Sequence, residues 1–364
     1  MDRRFGRWFG GRTRRNADAD TATPLREAAA SAPEAVPVAG HAQAAATDPT
    51  VRAMSPEELQ LQTGFVRILD GRCDVLLRAA TAETRQSDAQ LVMDCLRKLD
   101  GTVIRQPPLA AQRALAVIRN PMSSAQQLVA IFEQDPALTE ALLRMANSSF
   151  YHRGSEPVVS IPQAIKSVGV RGIESIVTTH MIEGMLCRPG SAYSMLLGKV
   201  WGHMMRTAPI ARSLAPAFGA APETAFTVGL LHDVGKLLVF DYLSQLRARH
   251  MREIRLPERF LLDMLNRLHE PLGGIAALRW KLGASVAQSI ACHHHEPPPE
   301  AADLLSELLC VSERAEHASQ RAVAVDLERI WREGECTADR THVAGLLAEY
   351  PGITVAQPRT KRAA

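Results

Sequence analysis

The sequence predicts an all-α protein. Beyond residue 55, apolar residues recur at spacings of three and four along almost the whole chain, and Val and Ile never alternate with polar residues over a useful length. Residues with helix-capping chemistry also stand where the apolar runs begin. The expected organisation is a tail over 1–55, a helical N-terminal subdomain over 56–187, a second helical subdomain over 188–320, and a helical extension with a flexible C-terminus over 321–364.

Residues 1–55 are rich in Ala, Pro, Thr and Arg and lack a sustained apolar period, so they cannot repay their ordering entropy and read as disordered. Arg3, Arg4, Arg7, Arg12, Arg14 and Arg15 surround Phe5, Trp8 and Phe9. This is either an untethered solubilising tail or a weak arm for anionic surfaces. The formal net charge is only +3, so composition does not single out nucleic acid as a partner. No apolar run approaches the roughly 18 residues of a membrane span, and no secretory apolar region follows the basic residues. Cysteines at 73, 95, 187, 292, 310 and 336 show no CxxC pairing, which suits a reducing, cytoplasmic compartment.

Helices are expected over Asp74–Leu99 and Leu109–Ile118, followed by shorter ones. Ser123 with Gln126, and Ser160 with Gln163, have capping-box spacing, and Asp135 is a good N-cap directly before Pro136. Leu138, Leu142, Met145 and Ala146 form a buried stripe. Further helices are expected over Met195–Phe218, Pro222–Leu243, after Leu256, from Ala284 beyond the break at Gly283, and over Ala301–His317.

The segment Gly229–Leu238, GLLHDVGKLL, places His232 and Asp233 side by side in apolar surroundings. A buried carboxylate beside a buried imidazole is costly unless both are paired or bind a metal. His203, His269, His294, His295 and Glu313 are the candidate partners, with His293 as a spare. Imidazole nitrogen with carboxylate oxygen suits Fe, Mn or Zn, and Asp233 has two oxygens with which to bridge two ions. Two such ions could clamp a phosphodiester and activate water. Lys236 would then touch a phosphate, or else reach solvent. The alternative is a set of ordinary helical histidines satisfied by backbone.

The chain resembles the HDOD proteins, the HD-related output domain class of the HD metal-phosphohydrolase superfamily. The resemblance rests on QDPALTEALLRMANSSFY (134–151) and VSIPQAIKSVGVRGIESIV (159–177), then VWGHMMRTAPIARSL, ETAFTVGLLHDVGKLLV, RLHEPLGGIAALRWKLG and HHHEP, and it covers about 105–320. It implies an all-helical N-terminal subdomain packed on an HD-like bundle, and a role in bacterial signalling generally without an assigned reaction. The related HD-GYP phosphodiesterases hydrolyse cyclic di-GMP. Their metal pattern carries over to His203, the His232-Asp233 pair, His269, the double histidine His294-His295, and Glu313 in place of the closing aspartate. Two departures matter: glutamate is one methylene longer, and HHHEPPP is not followed by the glycine-tyrosine-proline loop of the cyclic-dinucleotide enzymes.

The leading expectation is therefore a cytoplasmic signalling module that binds a protein partner and keeps one or two divalent ions as a structural or sensory element. The alternative is a metal-dependent phosphohydrolase or phosphodiesterase acting on a nucleotide, with Asp233 and Lys236 in its machinery. In ANSSFY, Asn147 is expected to cap or tie down the following turn, and Phe150 and Tyr151 to pack at a helix junction.

Overall fold

The computed structural model describes residues 54–97, 109–120, 122–148, 151–152, 154–186, 193–294, 304–332 and 336–356. Residues 1–53 of the expected tail therefore fall outside the described residues, as do His295, Phe150, Cys187 and the last eight residues, while Ser55 already caps the first helix. The described residues are helical apart from loops and one isolated parallel bridge between Val325 and Val355. Among them no helix is long and apolar enough to cross a membrane.

Helix α1 (Pro56–Arg78) starts at a reciprocal capping box in which Ser55 Oγ accepts from Glu58 N and Glu58 accepts from Ser55 N. The single helix expected over 74–99 is instead three pieces. α1 ends at Arg78, Thr81 caps the one-turn α2 (Ala82–Arg85), and α3 (Ala89–Arg97) follows. Asp88 fixes the start of α3 by accepting two bonds from Arg252 and one from the Arg255 amide, and the Arg252 bond draws its carboxyl down to about 2.

The next bundle comprises α4 (Leu109–Arg119), α5 (Ala125–Glu133), α6 (Pro136–Ala146) and α7 (Ile161–Leu186), with α7 in contact with the other three. α5 is capped one residue later than its sequence suggests: Ser124, not Ser123, precedes it and Gln127 accepts the Ser124 amide. Asp135 caps α6 through Ala137 N and Leu138 N, with Pro136 at the first position. Leu138, Leu142 and Ala146 are buried, as the stripe predicts. Asn147 ties down the following loop: its amide donates to Leu143 O and Val158 O and accepts from Val158 N. α7 is interrupted at Gly169, which has φ 72°.

The second bundle holds α8 (Ser194–Leu214), α9 (Pro222–Leu231), α10 (Val234–His250), α11 (Glu258–Arg279), α12 (Ala284–Ala291) and α13 (Leu304–Gln320). A 3-10 turn over Ala215–Phe218 prolongs α8. The two bundles meet at Glu223, whose carboxylate accepts from Tyr151 Oη, Ser175 Oγ and Arg212 Nη2. Tyr151 thus takes the junction role expected of it. Helices α14 (Leu327–Arg332) and α15 (Arg340–Glu349) close an apolar cluster with α8 and α13 through Ile210, Leu214, Leu308, Val311, Ile330, Val343 and Leu347.

The helix expected over 222–243 is broken at the His232-Asp233 pair. His232 keeps helical dihedrals, but Asp233 turns to φ −98°, ψ 9° and α10 begins at Val234. The first turn of α10 lies directly on α11: a Cβ on Gly235 would sit 1.9 Å from the His269 carbonyl oxygen. A backbone neighbour cannot yield as a flexible side chain can, so only glycine fits. Gly235→Ala should destabilise the protein by about 3 kcal/mol or more, as severe overpacking does, read as a lowered midpoint in chemical denaturation. An unchanged midpoint would mean that α10 and α11 do not approach this closely.

Candidate metal centre

Four histidines and one aspartate converge from four helical elements. His203 projects from the middle of α8, His232 and Asp233 from the α9–α10 break, His269 from α11, and His293 from the turn after α12. All five are buried.

Each imidazole has its Nδ1 committed to an oxygen. His232 Nδ1 donates to Gly229 O at 2.9 Å, His269 Nδ1 to Leu265 O at 2.8 Å and His293 Nδ1 to Ile290 O at 2.7 Å. His203 Nδ1 donates to Glu316 Oε2 at 2.9 Å. Carbonyls and carboxylates only accept, so the proton belongs on Nδ1 and the Nε2 lone pair is left to point inward. These lone pairs meet in two couples: His203 and His232 Nε2 are 3.0 Å apart, and His269 and His293 Nε2 are 3.3 Å apart. Two lone pairs at that distance repel unless a proton or a cation lies between them.

Asp233 stands between the couples. Its Oδ2 lies 3.7 Å from His232 Nε2 and 4.0 Å from His203 Nε2, while Oδ1 is 3.6 Å from His269 Nε2. Oδ1 is buried without a hydrogen-bond partner, an arrangement costing about 1–3 kcal/mol unless something supplies positive charge. Lys236 supplies one cation, donating from Nζ to Oδ2 at 2.7 Å. It is buried, so it does not reach out to solvent.

Glu313 turns inward, with Oε1 3.9 Å from His203 Nε2 and Oε2 3.8 Å from His294 Nδ1. The His294 side chain is 41% exposed and is the most open of these groups. Its backbone N–H is held by Glu270 Oε1 at 2.8 Å. His317 stacks on His203, with ring centroids 4.9 Å apart. Candidate donor atoms lie within 4.8 Å of one another in the sets His203/His232/Asp233, Asp233/His269/His293/His294 and His203/Glu316/His317. In the last set, Glu316 is already engaged by Arg206 Nε at 2.6 Å and acts on His203 as its orienting partner.

Sequence reasoning held His293 only as a spare, yet the structure puts it in the centre beside His294. Glu316, His317 and Glu270 were missed altogether. The spacing of Glu316 from Glu313, three residues along one helix, was the available signal.

Burial pushes the His232 imidazole down to about 4, and it likewise pushes His269 and His293 well below their ordinary value. For Asp233 burial acts upward, but the Lys236 ammonium together with the His232, His269 and His203 imidazoles outweighs it and holds the carboxyl well below the usual range. Burial also opposes ionisation of Glu313, and the neighbouring His294 and His232 bring it down to about 2. His203 moves the other way: burial lowers it, but the Glu316 bond and the surrounding carboxylates leave it raised. A raised His203 can donate its Nε2 proton to His232 when no cation is present.

A sequence profile of the HDOD domain matches residues 104–296, just over half of the chain. The chain belongs to the HDOD family. A protein of Treponema pallidum (strain Nichols) that carries no characterised role is 28% identical over 207 residues, taking in 54% of this chain but only 39% of that protein. The chain therefore spans well under half the length of this relative. Two crystal structures from Shewanella amazonensis SB2B share the fold. One, provisionally named a metal-dependent phosphohydrolase, is 22% identical with a TM-score of 0.52, covering 72% of this chain and 88% of that one. The other, provisionally named a phosphohydrolase, is 22% identical with a TM-score of 0.53, covering 69% and 93%. The HDOD match includes every histidine of the two Asp233 sets, whereas Glu313, Glu316 and His317 come from α13 beyond it, and α1 to α3 precede it.

The imidazole shifts fix the sign of a pH dependence. An unfolded His232 titrates near 6.5 and the folded one near 4, so as pH falls through that window the unfolded chain takes up the proton first. The His232 contribution to stability is thus complete above pH 6.5 and declines toward pH 4, by about 3 kcal/mol. The depressed carboxyls of Asp233 and Glu313 continue the loss at lower pH, whereas His203 works in the opposite sense. Denaturation of metal-stripped protein should show a falling midpoint between pH 6.5 and 4. A flat profile there would contradict the buried, neutral state of these imidazoles.

Proposed function

We propose that this HDOD protein is a signalling module built around a divalent metal centre and acting on a protein partner. The observation that carries the metal reading is the commitment of every central Nδ1 to an oxygen, which leaves four Nε2 lone pairs and an unpartnered carboxylate oxygen facing one another. A transition ion beside each couple would satisfy them, and Fe, Mn and Zn accept this mixture of imidazole and carboxylate.

The residues divide into two subsites that share Asp233. His203 and His232 would hold one ion through Oδ2, with Glu313 close by. His269, His293 and His294 would hold the other through Oδ1. Glu316 keeps His203 in the required tautomer, as the Gly229, Leu265 and Ile290 carbonyls do for the other three. Lys236 balances the Asp233 charge from within the protein. Divalent ions held here would supply Lewis acidity toward a phosphate oxygen.

A second reading, hydrolysis of a phosphodiester or nucleotide, is favoured by the imidazole of His294, which is 41% exposed beside otherwise buried groups. The burial of Lys236 against Asp233 weighs against its use as a contact for a phosphate at the surface.

Elemental analysis of anaerobically purified protein should find one to two divalent ions per chain, and Asp233→Asn should lower that content several-fold while keeping the side-chain shape. Metal-free wild-type protein that also fails to take up added Mn(II), Fe(II) or Zn(II) would overturn the metal reading. Phosphodiesterase turnover that disappears in Asp233→Asn would move the conclusion to the hydrolytic reading; metal retention without turnover, together with a specific partner recovered under native conditions, supports the module.

A further inference from the structure

Helix α1 precedes the HDOD match, yet it reaches the centre through a chain of hydrogen bonds. Its buried face, Phe65, Leu69, Cys73 and Leu76, packs on α11 and α12. The approach is close enough that a Cβ on Gly274 would lie 2.9 Å from the Phe65 ring. Arg72 leaves this face and donates from Nη1 to Glu270 Oε2 at 2.6 Å and to the Arg267 carbonyl at 2.7 Å. Glu270 is buried and directly follows His269. Its other oxygen accepts the backbone N–H of His294 at 2.8 Å.

One carboxylate thus joins α1 to a candidate ligand. α12 ends at Ala291, so His294 lies beyond the helical ladder, and the Glu270 bond fixes its backbone relative to α11. Glu270 in turn depends on Arg72, because a buried carboxylate that loses its cation is strongly destabilised. Without Arg72 the carboxylate must find another partner, and any such rearrangement loosens the His294 amide.

We infer that Arg72 is a positioning residue of the metal centre, and that docking of α1 and cation binding at Asp233/His269/His293/His294 reinforce each other. The inference rests on the metal reading proposed above. Binding linkage is reciprocal: if a docked α1 tightens the subsite, an occupied subsite must hold α1 more firmly by the same factor. The segment ahead of the HDOD domain then has a direct line to the centre, and an event that lifts α1 would be felt as weakened metal binding.

The test uses the full chain with Co(II) as probe, followed by calorimetry and visible absorption, alongside hydrogen exchange of residues 56–78 with and without Co(II). Arg72→Gln should weaken one Co(II) site about tenfold, at the lower end of what loss of an outer-shell partner costs, and alter its spectrum. Arg72→Lys, which keeps the charge but not the forked geometry, should fall between. Arg78→Gln, on the exposed end of the same helix, should bind as the wild type does. Co(II) should slow exchange in wild-type α1 and leave that of Arg72→Gln unchanged.

Wild-type Co(II) affinity and spectrum in Arg72→Gln would overturn the inference while leaving the metal centre intact. If Arg72→Gln does not fold, wild-type exchange decides: protection of α1 that ignores Co(II) overturns the inference, and protection that rises with Co(II) supports it. Wild-type protein that binds no Co(II) overturns the underlying reading and this inference with it.

Discussion

The second bundle is arranged around a problem of electrostatics: four imidazole lone pairs and a carboxylate buried face to face. None of these groups would be stable there alone, since each gives up water for a site with too few donors. The protein has nevertheless spent every Nδ1 on an oxygen, and so cannot relieve the crowding by switching tautomers at His232, His269 or His293. Only positive charge in the middle relieves it. Lys236 provides part, and a divalent ion would meet the remainder.

The backbone serves that convergence. The turn at Asp233 sets its carboxylate between the two histidine couples. Gly235 lets the start of α10 rest on the carbonyl of His269, so a residue needed for close packing lies two positions from the central carboxylate. Glu316 connects the centre to α13, and the Arg72–Glu270 pair connects it to α1. Helices outside the HDOD match thereby brace groups within it. This bracing is electrostatic as well as apolar, and its buried members have little alternative to the partners they hold.

Much of this was legible in the sequence, and what was not has physical reasons. The all-α class, most helix limits and the Asp135 and Ser160 start signals follow from local periodicity and capping. The breaks after Arg78 and at Asp233 do not, because apolar spacing continues across both and His232 itself remains helical. The HD pair, His203, His269 and Glu313 could be nominated from chemistry alone. In the run His293-His294-His295 the residues are chemically equivalent, and only the end of α12 at Ala291 decides that His293 turns inward. Glu316 and Glu270 read as surface charges because their partners lie 113 and 198 residues away along the chain.

The central claim is that the buried imidazoles keep their protons on Nδ1 and offer Nε2 to a cation. Nitrogen-15 NMR of histidine-labelled protein, before and after Zn(II), tests it directly. The predicted result is Nδ1–H signals for His232, His269 and His293 that persist, with Nε2 resonances of these residues and of His203 shifting on metal addition. Nε2–H tautomers with no response to Zn(II) would contradict it.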